Sequence, residues 1–154
     1  MIALGSRGEL SSTLGPCSHA ATPSVRFTGG DRYEALALGV VRNTCRDGVV
    51  VLDIRRVARL AIDPVPSASV DARLVYAVRA FDAAGIELDI GQETPIAWSF
   101  RGALASRSYP GCGDIIPICP PMNDGFAVAL GPGVGTIDAS FGALHARSTT
   151  TITR

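Results

Sequence analysis

Apolar and polar positions alternate in short runs along this chain, and the runs are bounded by glycine and proline. Residues 73–81, RLVYAVRAF, place Leu74, Tyr76, Val78 and Ala80 on one face and Arg73, Val75, Ala77, Arg79 and Phe81 on the other. A period of two with aromatic and β-branched residues predicts a strand. Residues 82–85, DAAG, predict a turn, with Gly85 free to take a positive φ. Strands are predicted again at 95–100 (PIAWSF), 125–130 (GFAVAL), 135–141 and 143–153, the last two around a turn near Gly142. Residues 49–54 behind Gly48 read as a strand that runs straight into 57–62. The 57–62 run alternates only loosely, stops at Asp63-Pro64, and is too short and β-branched to favour a helix. About seven short strands with turn signals every ten residues or so predict an all-β chain built as a β-sandwich. The Gly/Pro-rich stretch 109–123, with prolines at 110, 117, 120 and 121, is an excursion from that pattern.

The chain also repeats itself. Shifted by 94 residues it matches without gaps at 13 of 60 positions. Composition alone gives roughly four or five such matches, so the repeat is the signature of a tandem architecture. Ile2, Ala3, Arg7, Gly8, Leu10 and Ser12 fall on Ile96, Ala97, Arg101, Gly102, Leu104 and Ser106. Pro16 and Pro23 fall on Pro110 and Pro117, and Gly48 on Gly142. Ala35, Leu36, Gly39 and Val40 fall on Ala129, Leu130, Gly133 and Val134. The expected organisation is a partial first unit, residues 1–56, holding C-terminal strands only, followed by a complete unit, residues 57–154. The near absence of a linker implies stiff head-to-tail packing.

Composition narrows the function. The 154 residues are 47% hydrophobic and 18% charged, with 14 basic and 14 acidic side chains and no net charge. That balance argues against nucleic acid, which needs a basic surplus, and against a polybasic membrane anchor. All 14 basic residues are arginine, so no lysine is present for a Schiff base, a phosphate loop or an isopeptide staple. No apolar run approaches the ~18 residues of a membrane span. The first ten residues, MIALGSRGEL, lack the basic and long apolar regions of a secretory signal. The four cysteines, Cys17, Cys45, Cys112 and Cys119, permit three pairings. Pairing within each unit, Cys17 with Cys45 and Cys112 with Cys119, is the economical choice. It places the protein in an oxidising compartment, outside the cell or at its surface, as a mature piece or fragment.

Candidate chemistry is sparse. Cys17, His19 and Cys45, or Cys112, Cys119 and His145, sketch metal sets, but neither has the paired short spacings of a zinc site. No Gly-x-Ser-x-Gly elbow accompanies the two histidines. The glycines at 131, 133 and 135 precede a strand, not a helix, so they form no phosphate cradle. Glu87, Asp89 and Glu93 are three carboxylates on one loop, better read as solvated than as a calcium site. No cofactor, metal or catalytic residue is expected.

The second unit resembles the bacterial immunoglobulin-like domains, group 2, of intimin- and invasin-type surface proteins. The residues that carry the resemblance are FDAAG (81–85), IAWSF (96–100), GVGTIDASFG (133–142) and ALHARSTTTI (143–152). The order and spacing fit over about 95 residues. The chain departs from the family after Trp98, where RGALASRSYPGCGDIIPICPPMNDG is inserted, and Leu4 stands at the Trp98 position of the first unit. The resemblance implies an immunoglobulin-like sandwich, and the size of Trp98 makes it the anchor between the sheets. It also implies a non-catalytic module of a bacterial cell-surface or secreted protein, a stalk or spacer with a part in adhesion. Its partners are then neighbouring units or subunits, with a host or polysaccharide ligand unidentified. A second reading makes the chain a filament subunit whose open first unit takes a strand from a neighbour. A third makes it a carbohydrate-binding module that presents Tyr109.

Overall fold

The computed structural model describes residues 1–10, 15–19, 22–107 and 123–154. Cys112, Cys119 and Tyr109 lie outside the described residues. Among the described residues all regular structure is β, in two compact units. Unit 1 comprises Met1–Arg59 and Ala80–Thr94, and unit 2 comprises Leu60–Arg79 and Pro95–Arg154.

Seven strands lie in the first stretch of unit 1: β1 (Ile2–Ala3), β2 (Arg7–Glu9), β3 (Cys17–Ser18), β4 (Val25–Gly29), β5 (Arg32–Ala35), β6 (Gly39–Cys45) and β7 (Gly48–Arg55). They form two sheets, ordered β1-β7-β6-β3 and β2-β5-β4. The chain continues through β8 (Arg59–Ile62), β9 (Ser67–Ser69), β10 (Arg73–Tyr76), β11 (Val78–Phe81), β12 (Glu87–Leu88) and β13 (Ala97–Gly102). It ends with β14 (Leu104–Ser106), β15 (Gly125–Ala129), β16 (Gly133–Phe141) and β17 (Leu144–Thr153). Unit 2 also has two main sheets, ordered β9-β17-β16-β13 and β10-β15-β14.

The two orders are the same. In each unit a short first strand runs parallel to the last: Ile2 pairs with Ile54, and Ala68 with Ile152. The second strand pairs with the fifth, Arg7 with Glu34 and Arg73 with Val128. The third pairs with the sixth, the fourth with the fifth, and the sixth with the seventh. Two facing sheets with this order are the immunoglobulin-like sandwich. Residues 1–59 therefore hold seven strands, where the sequence led us to expect only C-terminal ones. Residues 80–94, expected in the second unit, lie in the first.

The registers also show where the 94-residue repeat is structural. It holds for the fifth and sixth strands, where Glu34 corresponds to Val128 and Gly39 to Gly133. It fails for the first two. Ile2 takes the place of Ala68 and Arg7 that of Arg73, so the offset there is 66. The extra residues fall in sequence between the second and fifth strands of unit 2, and they include residues 80–94 of unit 1. The same logic corrects the position of the tryptophan. Trp98 pairs with Ala139, and Cys17 pairs with Cys45, the counterpart of Ala139. Cys17, and not Leu4, stands where unit 2 has Trp98.

The cores follow from alternation along the strands. In unit 2, Tyr76, Ile137, Ala139 and Ile152 are almost fully buried, and Tyr76 donates to or accepts from Thr150 Oγ1 at 2.8 Å. Trp98 and Phe100 stack at 6.2 Å on the inward face of β13, and Tyr76 tilts against Phe100 at 5.8 Å. In unit 1, Ile2, Val25, Tyr33, Val41, Leu52 and Ile54 form the core. Asn43 is an exception. It is fully buried at the position of Ile137, and neither its Oδ1 nor its Nδ2 has a hydrogen-bond partner. An orphaned buried amide costs about 1–3 kcal/mol. Asn43→Leu, close in shape, is accordingly expected to raise the stability of the protein by about 1 kcal/mol in urea unfolding. A loss of stability in that variant means that Asn43 has a bound partner.

Candidate functional site

A polar cleft of about 500 Å³ lies in unit 1, lined by Gly8, Glu9, Tyr33, Asp89, Gly91 and Glu93 among others. Residues 89–94 build one wall by lying along β1 and β2. The Ala3 N–H donates to the Asp89 carbonyl at 2.8 Å, and the Asp89 N–H donates to the Met1 carbonyl at 3.1 Å. Further on, the Glu93 N–H donates to the Arg7 carbonyl at 3.2 Å and the Arg7 N–H to Thr94 Oγ1 at 2.7 Å. Gly91 makes this approach possible. It has φ of 66°, and a side chain there would collide with the Arg7 carbonyl oxygen. Its N–H donates to the Asp89 carboxylate at 2.7 Å, which fixes that side chain.

Tyr33 forms the floor and is 4% exposed. Burial, and then the negative charge of Asp89, push its phenol above the ordinary range, so it stays protonated. Glu93 meets Arg32 at 3.3 Å on the rim. A smaller cavity of about 260 Å³ shares Glu9, Tyr33 and Asp89 and reaches Ile2, Leu10 and Leu52. The cleft is acidic at its mouth and apolar at its base. It holds no nucleophile and no base aimed at one. Of the three carboxylates marked in the sequence, Asp89 and Glu93 line it. Glu87 sits on β12 opposite Phe81 and does not. Among the described residues no three His, Cys, Asp or Glu side chains converge as a metal site. Glu9, Tyr33 and Gly91 gave no signal in the sequence, because their meeting depends on a contact between residues 87 apart.

The remaining candidates take structural places. Cys17 and Cys45 are joined by a disulfide across the β3–β6 ladder. Both thiols of the first sketched metal set are thus consumed. The His19 Nε2–H donates to the Asp31 carboxylate at 2.7 Å and the ring stacks on Phe27 at 4.0 Å, while its Nδ1 is buried without a partner. Trp98 lies over Gly125, which has no Cβ to obstruct the ring, and its Nε1 is buried without a partner. His145 is exposed on the outer face of β17, directly opposite Ser140. The nearby carboxylate is already committed, since Arg147 donates to Asp138 at 2.6 Å and Arg101 also donates to it. Ser140, His145 and Asp138 therefore form no relay of the hydrolase kind.

No family model matches the sequence, and no curated protein matches it. Among solved structures the chain is similar to domains 4 and 5 of the S-layer protein SbsC, with 9% identity and a TM-score of 0.43. That likeness covers 78% of this chain and 68% of the other. It is similar to FdeC, an Escherichia coli adhesin, with 12% identity and a TM-score of 0.39, over 99% of this chain and 61% of that one. An I-band fragment of titin gives 10% identity and a TM-score of 0.37, over 99% and 60%. The fold assignment rests on the strand order and registers described above.

Two outcomes test this account. Gly91→Ala is expected to destabilise the protein by at least about 2 kcal/mol in urea unfolding, because steric collision adds to the cost of a positive φ. Gly85→Ala, with φ of 79° and open space around it, should cost only about 1 kcal/mol. Equal effects would remove the close approach as the cause. The second outcome concerns acid. Arg26, then Arg7, hold the Glu34 carboxyl below its ordinary value, and Arg147, then Arg101, do the same for Asp138. A carboxyl depressed in the folded state adds stability above its unfolded pKa, near 4, and loses it as pH falls through the folded value. Thermal midpoints should be flat from pH 7 to about 5 and fall below about 4. Glu34→Gln should lower the midpoint at pH 7 and make the acid fall shallower. A parallel shift at every pH would contradict the assignment.

Proposed function

We propose that this chain is a non-catalytic structural module of an extracellular or cell-surface protein, serving as a stalk or spacer in an array of immunoglobulin-like units. The observation that carries the reading is the duplicated strand order, two seven-stranded sandwiches of one topology within 154 residues. Three further features support it. The chain passes directly from one unit to the other after Arg59, Arg79 and Thr94. A disulfide in unit 1 belongs to an oxidising compartment. Among the described residues, Glu34, Asp82 and Asp138 are held in ion pairs with arginine, and no nucleophile meets a base. The sequence motifs of unit 2 resemble those of the bacterial group 2 immunoglobulin-like domains, and a role in adhesion is part of that reading. Unit 1 has seven strands of its own, so completion by a strand from another chain has no specific observation in its favour.

A stalk must resist extension, and single-molecule stretching of the full chain between its ends measures this directly. Discrete unfolding steps are expected. The segment from Cys17 to Cys45, a sequence separation of 28, stays locked until a reductant is added. Reduction then lengthens the released chain by about 100 Å, at roughly 3.5 Å per residue. Smooth extension without steps would sink the stalk reading.

A further inference from the structure

The outer face of the β13-β16-β17 ladder in unit 2 carries polar side chains that the core of the sandwich does not use. One row across it is Ser99, Asp138 and Arg147, and the next is Ala97, Ser140 and His145. Beside them lies a cavity of about 310 Å³, lined by Ser99, Arg101, Asp138, Ser140 and His145 among others. Arg147 donates to Asp138 at 2.6 Å and does not itself line the cavity. Arg101 donates to the other oxygen of the same carboxylate. Two guanidinium groups thus share one carboxylate, and Arg147, then Arg101, hold it below its ordinary pKa. Arg147 meets the charge of Asp138 from outside the cavity, so the positive charge of Arg101 is left over within it. Among the described residues, Arg101 Nε and Nη1, Ser99 Oγ, Ser140 Oγ and the His145 ring have no hydrogen-bond partner.

This set of groups is selective. An arginine alone at a surface accepts any small oxyanion. Here a sulfate or phosphate on Arg101 would set its remaining oxygens against the ionised Asp138, and like charges at that range repel. A neutral sugar would satisfy the hydroxyls and the imidazole but leave the guanidinium charge unmet. A carboxylate offers about four lone-pair sites, and the two arginines leave part of those of Asp138 open to hydroxyl protons. We propose that this cavity binds a sugar acid, with the ligand carboxylate on Arg101 and the ring hydroxyls on Asp138, Ser99, Ser140 and His145. Its volume lies at the lower end for ligand sites, which run from about 300 to 1,000 Å³, and suits a single sugar ring. The inference gives a ligand to the adhesive part of the function proposed above and rests on that part alone. Stretching reads the stalk, and binding at this cavity does not enter its outcome.

Magnetic resonance titration of the oxidised full chain tests it, at constant ionic strength, with sodium galacturonate, sodium N-acetylneuraminate, galactose and sodium sulfate. At least one of the two acids is expected to bind with a dissociation constant of about 1–10 mM, as ordinary ligand efficiency gives for one ring. It should shift the backbone amides of Ser99, Ser140 and His145 and the Arg101 Nε–H. The tighter of the two identifies the source as a uronic or a sialic acid. Galactose and sulfate should bind at least tenfold more weakly. Arg101→Gln should abolish binding of the acid. Arg147→Gln should weaken it several-fold although Arg147 does not line the cavity, because Asp138 then turns its whole charge on Arg101. A wild-type chain that responds to neither acid at about 50 mM, or whose shifts fall elsewhere, overturns the proposal, and that result needs no variant to fold. So does sulfate or galactose bound as tightly as the acids, since the site would then not read a sugar and a carboxylate together.

Discussion

The packing of unit 2 depends on two large side chains that lie on glycines of the opposite sheet. Trp98 on β13 rests over Gly125 on β15, and Leu104 on β14 rests against Gly135 on β16. The exchange is reciprocal, one large residue and one glycine from each sheet. It sets the spacing at which Tyr76, Phe100 and Ile137 meet. A Cβ at either glycine would push the sheets apart, and cores tolerate added volume poorly. Unit 1 solves the same problem with other chemistry. At the places of Trp98 and Ala139 it has Cys17 and Cys45, and a covalent bond takes over from aromatic area. At the place of Ile137 it has Asn43, whose amide is left without partners. The first core is thus pinned by a covalent link and the second by dispersion and apolar burial.

Much of unit 2 was legible in the sequence because its strands are long and alternate. The run 73–81, read as one strand with Leu74, Tyr76, Val78 and Ala80 on one face, buries those four residues but divides at Ala77 into β10 and β11, which lie in different sheets. The hairpin of β16 and β17 follows the predicted pattern, with Gly142 at φ of 59° in its turn. Unit 1 was less legible. β1 and β3 are two residues long, and two residues have no period. The repeat could be seen, but a single gapless offset cannot represent two domains whose loops differ in length. Matches such as Ile2 with Ile96 were therefore coincidences of composition, while Ala35 with Ala129 reflects a shared core position.

The cleft of unit 1 was out of reach for a different reason. Its chemistry comes from a loop that sequence adjacency assigns to the other unit. Asp89 and Glu93 were visible as a run of acids, but nothing local shows that Gly91 will cross the Arg7 carbonyl or that Tyr33 will lie beneath it. Acidic side chains elsewhere are absorbed by arginine: Glu34 by Arg7 and Arg26, Asp138 by Arg101 and Arg147, and Asp82 by Arg55. The even balance of charge in the composition is thus realised locally, in small clusters on the strand faces.

The wall formed by residues 80–94 has a consequence for the order of events during synthesis. The Arg7 amide of unit 1 finds its partner in Thr94, on the far side of a stretch that belongs to unit 2. The N-terminal domain of a nascent chain ordinarily folds as soon as it emerges. Here the first sandwich stays unfinished, with the edges of β1 and β2 uncovered, until residues 60–79 of its successor and its own residues 80–94 have been made. Closing that long loop is the slow, entropically costly step. A pulse of translation that stalls before residue 94 therefore leaves the first unit open.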